Sequence, residues 1–346
     1  MKPRFWLGSV VFLLLFVHGA ASNAQTPSSS GYRVVRKFAL GGEGGWDYLA
    51  IDSQSRRLYV SRSTHVMVID ADSGIVVGDI PNTPGVHGVA LVPTVKRGFT
   101  SNGRDSSVTV FDLGSLDVLD SIRVGENPDA ILYDPASERV FTFNARSRDA
   151  TAIDAKTGRV AGTVNLGGRP EFAVADGLGR IYVNLEDSSQ VATFRSRELN
   201  IEARWPLAPG EGPTGMAMDR DHKRLFIGCS NKLLVVMDSD DGRVVATLPI
   251  GSGVDGTAFD SQESLVFSSN GDGTLTVIGE DTPDRYRVLD NVITQRGART
   301  LALDPKTHRI FLATAEFGPA PPPTADRPHP RPSIVPGTFA LLVVGK

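Results

Sequence analysis

An aromatic residue within a short strand-like run returns seven times at near-constant spacing, and this constrains the fold more than any other feature of the chain. The runs are RRLYVS, KRGFTS, ERVFTF, GRIYVN, KRLFIG, SLVFSS and HRIFLA. Their aromatics are Tyr59, Phe99, Phe141, Tyr182, Phe226, Phe267 and Phe311, separated by 40, 42, 41, 44, 41 and 44 residues. Before each lies an apolar segment closed in most repeats by an acid (YLAID, AILYD, GMAMD), and after it a third (VMVID, VTVFD, LVVMD). A fourth follows in most repeats, as in GRVAGTV and GRVVATLPI. The connections DADSG, DAKTG and DSDDG supply an Asp that closes an Asx-turn and a Gly that accepts positive φ. A helical repeat of this length would show 3.6-residue periodicity, and none is present. Four short antiparallel strands per unit of about 40 residues is the pattern of a propeller blade, so the expected fold is all-β, a seven-bladed β-propeller.

The seventh repeat lacks a fourth strand. After RIFLATAEFGP comes a Pro-rich stretch and then one last strand, TFALLVVGK. The segment YRVVRKFALGG near the start of the chain resembles the outer strand of blade six, RYRVLDNVIT. Residues 32–41 are therefore expected to complete blade seven and close the ring without a free seam. Residues 25–31 read as a linker, and 318–337 as an extended polyproline-like loop with the composition of a Pro-rich recognition segment.

The first 24 residues read as an address. Lys2 and Arg4 precede an uncharged run of 13 residues, Phe5 to Val17, and small residues follow up to Ser22-Asn23-Ala24. That is the layout of a secretory signal cut near Ala24, its apolar run short for a bilayer span. Its removal leaves 34 basic against 39 acidic residues, a formal charge of −5. The expectation is a periplasmic or secreted product, not an integral membrane protein after signal removal. Such an acidic balance argues against a partner of double-stranded nucleic acid. A single Cys excludes a disulfide scaffold and any Cys-cluster metal site, and Cys229 is expected to be a buried small hydrophobe.

The repeat P-x-x-x-A-x-D-P…R-x-[YF]-V…D-x-x-T-G-x-V-x-x-T-x-x-[VL]-G is clearest in NPDAILYDPASERVFTFNARSRDATAIDAKTGRVAGTVNLGG. It resembles the YVTN-repeat, or YncE-like, seven-bladed propellers of bacterial periplasms, over about residues 32–346. The resemblance implies the propeller fold and an envelope location. It leaves function open, because such propellers serve as binding proteins, enzyme subunits and occasional enzymes. The asparagine of the turn after the second strand is kept as Asn102, Asn144, Asn184 and Asn270 and lost in blades one, five and seven. The 318–337 insertion lies outside the basic repeat.

Signatures of covalent haem, nucleophile-elbow hydrolases, HExxH metalloenzymes and P-loops are absent. The stretch DSDDG at 238–242 lacks the Gly and Glu of a calcium loop and reads as a turn. A likeness to quinoprotein repeats lacks their docking tryptophan, so neither haem nor quinone is expected. A divalent metal ion is the one cofactor left as a candidate.

The remaining signal is positional. Twelve residues before each blade aromatic, or eleven in blade four, stand Asp47, His87, Asp129, Glu171, Thr214, Asp255 and Arg299. These positions open the innermost strands and are expected to ring one mouth of the central channel. Crowded carboxylates raise one another's pKa unless a cation or ligand intervenes, which makes Asp47, His87, Asp129, Glu171 and Asp255 a candidate metal set. The turns after the second strand are expected on the same face, adding Asn102, Arg104, Asn144, Arg146, Asn184 and Asn270. Trp46 is placed to form an aromatic wall beside them, and Trp205 in an outer strand reads as packing. Three functions fit: a non-catalytic binding or scaffold protein taking a small polar ligand, metal ion or envelope peptide at the mouth; a metal-dependent hydrolase or lyase of lactonase type with His87 as base or acid; and single-strand nucleic-acid binding, known in the resembled family and disfavoured here by the acidic balance.

Overall fold

The computed structural model describes Met1, residues 30–322 and residues 332–346. They form seven four-stranded antiparallel sheets, six of them ordered from inside to outside as the chain runs and the seventh completed on its outside by the N-terminal strand, and two single-turn 3-10 helices, Pro93–Val95 and Glu186–Ser188. Blade one comprises Leu49–Asp52, Arg57–Arg62, His65–Asp70 and Val76–Ile80. Blades two to six span 86–123, 128–165, 170–206, 213–249 and 254–293. Inner strands touch their neighbours all the way round, and Leu49–Asp52 meets Leu301–Asp304 to complete the circle. No described helix is long and apolar enough to cross a membrane.

The repeat aromatics explain why the period is kept. All seven lie on second strands and are 0–1% exposed. Several are wedged against the following blade: Tyr59 on Phe111 at 5.9 Å, Phe141 on Phe194 at 5.6 Å and Phe226 on Phe259 at 5.0 Å between ring centroids. The Tyr182 hydroxyl donates to the Ser239 carbonyl of blade five. A sheet hydrophobic on both faces must bury each against a neighbour, and one large ring per blade fills that interface. Cys229 is fully buried, and its thiol is pushed up to about 12 by that burial, which leaves it inert at neutral pH.

The hairpin between the third and fourth strands carries the turn chemistry read from sequence. In DSDDG, Asp238 Oδ1 accepts the Asp240 N–H, and Gly242 takes φ +76 with its Cα facing the Trp205 ring. A Cβ there would lie 2.1 Å from the indole. The stretch is a turn, and Trp205 packs on it and on Tyr182.

The ring closes as expected. Arg33–Ala39 pairs antiparallel with Ala340–Gly345, which lies on Arg309–Thr314 and Leu301–Asp304. Tyr32 caps the seam against Phe267 of blade six at 5.1 Å. Arg62, 1% exposed, stacks 3.6 Å from the Phe339 ring centroid and donates to the carbonyls of Gly41, Glu43 and Gly44. Residues 2–24, read from the sequence as an export signal, most of the expected 25–31 linker and residues 323–331 of the Pro-rich loop lie outside the described residues. The two limbs of that loop meet in a bridge between Phe317 and Ile334.

Candidate functional site at the channel mouth

The inner strands all start at the same end of the ring. His87, Asp129, Glu171, Thr214 and Asp255 are each the second residue of their strand, and Asp47 and Arg299 lie two residues before theirs. At five of these positions the ladder to the second strand slips, between Val86 and Val89, Pro128 and Ile131, Pro170 and Ala173, Pro213 and Met216, and Val254 and Gly256. Such a bulge frees a residue from pairing and re-aims its side chain. Serines of the second strands hold the loosened backbone. Ser61 Oγ accepts the Asp47 N–H at 3.0 Å and donates to the Tyr48 carbonyl at 3.2 Å. The Ser101 hydroxyl accepts the Gly88 N–H at 3.0 Å and donates to the Asp129 carbonyl. The Ser269 hydroxyl lies within donating reach of both the Gly256 and the Arg299 carbonyls.

The charged ring members come together in two clusters. His87 Nδ1 lies 2.6 Å from Asp47 Oδ2 and 3.6 Å from Asp129 Oδ1. Burial works against its proton, but the hydrogen bond to Asp47 and the fields of Asp129, Asp47 and Asp255 raise its pKa to about 9, so it is an imidazolium at neutral pH. Asp129 is itself lifted to about 6 by burial, against the pull of His87. On the other side Arg299 Nε lies 3.2 Å from Asp255 Oδ2. Glu171 is the exception. Its carboxyl is pushed up to about 9 by burial and by the charges of Asp129, Asp255 and Glu186. Arg169 stands 3.7 Å from its Oε2, and that oxygen has no hydrogen-bond partner among the described residues. The ring thus pairs His87 with Asp47 and Asp129 and Arg299 with Asp255, and leaves Glu171 as a carboxyl held neutral at pH 7.

Beneath it the channel is plugged. Tyr48 and Phe172, each one residue past a ring position, meet edge-to-face at 5.2 Å. The corresponding residues elsewhere are Gly88, Ala130, Gly215, Gly256 and Thr300, all small, so two rings fill a space that seven could not share. Only a void of about 80 Å³ remains beside them. The Tyr48 phenol is held well above its usual range by burial and then by Asp129, Asp255, Glu171 and Asp47. The mouth is therefore the floor of a depression.

Other expected members lie apart. Thr214 faces the next blade, its hydroxyl donating to the Val254 carbonyl at 2.9 Å. Asn102, Asn144 and Asn270 are completely buried within their own sheets. Asn102 Nδ2 donates to Ser107 and Thr109, Asn144 Nδ2 to Asp149 and Thr151, and Asn270 Nδ2 to Thr274 and Thr276. Their Oδ1 atoms accept from Thr100, Thr142 and Ser268. Asn184 clasps blade five by donating to the Thr214 carbonyl at 2.6 Å. The first three amides lock their second and third strands, Asn184 ties blade four to blade five with its Oδ1 left buried without a hydrogen-bond partner among the described residues, and all four are buried rather than open at the carboxylate ring where the sequence reading expected them. Arg104 and Arg146 are exposed. Trp46 does stand at the mouth, against Phe317 and Phe339 at 6.1 and 5.4 Å. Tyr48, Arg169 and Phe172 were missed, although an offset of one from the ring positions contains two of them.

Asp47, His87 and Asp129 offer donor atoms within 4.8 Å of one another, as do Asp219 and His222 of blade five with Glu280 of blade six. In the latter, His222 closes the turn on Asp219, as Ser55, Ser137 and Thr307 do on Asp52, Asp134 and Asp304.

Neither a scan against protein-family models nor a search of curated proteins finds a match for this chain. Fold and topology define it as a seven-bladed β-propeller with four antiparallel strands per blade.

Proposed function

We propose that the protein is an exported, non-catalytic binding propeller of the YVTN-repeat, YncE-like kind, which takes a small polar ligand at the carboxylate ring. The observation that carries this reading is Glu171, a half-buried acid kept neutral at pH 7 whose buried Oε2 is left without a hydrogen-bond partner among the described residues. A neutral carboxyl both donates and accepts, and it sits between two compensated ion pairs able to orient a polar molecule. The same compensation disfavours a resident metal. A divalent ion liganded by His87 must displace a proton held with a pKa of about 9, which at pH 7 weakens binding roughly 100-fold. The export signal read at the N-terminus and the acidic mature charge fit a soluble envelope protein, with a small polar ligand or an envelope peptide as partner.

A thermal-shift panel of neutral polyols, sugars and zwitterionic amino acids tests the reading. At least one class should stabilise the parent by several degrees and lose that effect in Glu171→Ala. A panel without any Glu171-dependent shift would sink it. The second reading, a metal-dependent hydrolase of lactonase type, is favoured by the Asp47–His87–Asp129 cluster. Stoichiometric, chelator-sensitive metal together with lactone turnover would establish that reading instead.

A further inference from the structure

Beside the carboxylate ring, and sharing Arg299 with it, lies a cavity of about 740 Å³ between blades six, seven and one. Its volume falls within the roughly 300–1,000 Å³ of small-molecule sites. Part of its lining is apolar: Trp46, Phe317 6.1 Å away, and Ile334 bridged to Phe317. Gly297 lets the Phe317 ring come this close. It takes φ +85, and a Cβ on it would lie 2.5 Å from that ring. The charged part of the lining is two arginines and one acid. Arg296 is exposed to the cavity and makes no ion pair among the described residues, and Arg299 spends its Nε on Asp255. The one acid of the lining, Asp272, is already satisfied. It accepts from the N–H and hydroxyl of both Ser252 and Thr274.

We propose that this cavity binds a small organic anion whose carboxylate or phosphate head is taken by Arg296 and Arg299, and whose aromatic or branched apolar body lies on Trp46 and Phe317. The proposal goes beyond the ring reading: the cavity shares Arg299 with the ring, and Glu171 is not part of its lining. An arginine pair matches the geometry of either head group, and a planar wall at this distance suits a ring or branched chain. A cation meets the exposed Arg296 guanidinium here, and the one acid of the lining, Asp272, is already engaged by Ser252 and Thr274.

Calorimetric titration of the full chain with phenylacetate, phenyl phosphate, benzyl alcohol and benzylamine tests this. At least one of the two anions should bind, with the alcohol and the amine at least tenfold weaker. The tighter anion identifies the head group. Arg296→Gln, a change at an exposed side chain, should weaken the anion at least tenfold at unchanged melting temperature. Quenching of tryptophan fluorescence by the anion should disappear in Trp46→Phe. Absence of anion binding, equal binding of benzyl alcohol or benzylamine, or an unaffected Arg296→Gln variant overturns the proposal. Glu171→Gln should retain anion affinity within twofold. A polar panel with no Glu171-dependent shift while the anion binds therefore marks failure of the ring reading, and a Glu171-dependent panel shift without anion binding marks failure of this one.

Discussion

Replacing Glu171 by Gln should stabilise the protein at neutral pH and leave it unchanged in acid. The folded carboxyl holds its proton up to a pH of about 9, whereas the unfolded one releases it near 4.5. Between those values the folded state binds more protons than the unfolded state, so stability is fully present below pH 4.5 and falls as pH rises toward 9. The slope is about 1.4 kcal/mol per pH unit, so by pH 7 the loss reaches about 3 kcal/mol. This figure requires only that the native value lie well above 7. Gln has the shape of the protonated acid and no ionisation in the unfolded chain, so Glu171→Gln removes the loss. With an unfolding entropy of about 2.1 cal/mol/K per residue over ~310 residues, the melting temperature at pH 7 should rise by about 5 °C. Calorimetric melts of both proteins from pH 4 to pH 8 give the answer: curves that coincide at pH 4 and diverge steadily above it support the assignment. A difference independent of pH would refute the claim that Glu171 is neutral in the folded protein.

Three further outcomes follow from the same structure. Deleting residues 32–39 strips Ala340–Gly345 of its outer partner and uncovers Phe267, so the product should aggregate or melt well below the parent; equal melting temperatures would contradict closure by this strand. Asn102→Ala removes a buried amide from Thr100, Ser107 and Thr109, at a cost of about 2–3 kcal/mol in denaturant titration, while leaving ligand affinity at the mouth unchanged. Arg62 loses affinity for its proton through burial, its pKa lowered to about 10, yet it ties the seam of blades one and seven through three carbonyls; Arg62→Ala leaves those oxygens and a void behind, for a loss of about 3 kcal/mol or more by the same titration.

The candidate ring was legible because it is a fixed offset from a repeated aromatic. Once the blade aromatics are aligned, Asp47, His87, Asp129, Glu171, Asp255 and Arg299 must share one end of the propeller, whatever their local environment. What each does there was not legible, because it depends on neighbours from other blades. Asp129 meets His87 across a blade boundary, and Glu171 owes its raised pKa to burial and to acids from blades three and six as well as its own Glu186. The four asparagines show the opposite failure. Their regular spacing suggested a shared surface, but a residue at the end of a second strand has its own third strand beside it. Their amide nitrogens are consumed by local or blade-to-blade hydrogen bonds before any ligand could meet them.

Repetition alone determined the number of blades, the order of strands within them and the borrowing of an N-terminal strand, because each is a statement about which segments need a partner. The tertiary structure decided the rest. It set two aromatic rings, Tyr48 and Phe172, across the channel as a plug, paired the charges around it, and opened the cavity beside Arg299 by folding Phe317 and Ile334 of an irregular insertion onto Trp46. Pairing and plugging are decided by distances across the ring, between residues up to hundreds of positions apart, and a linear pattern carries no such distances.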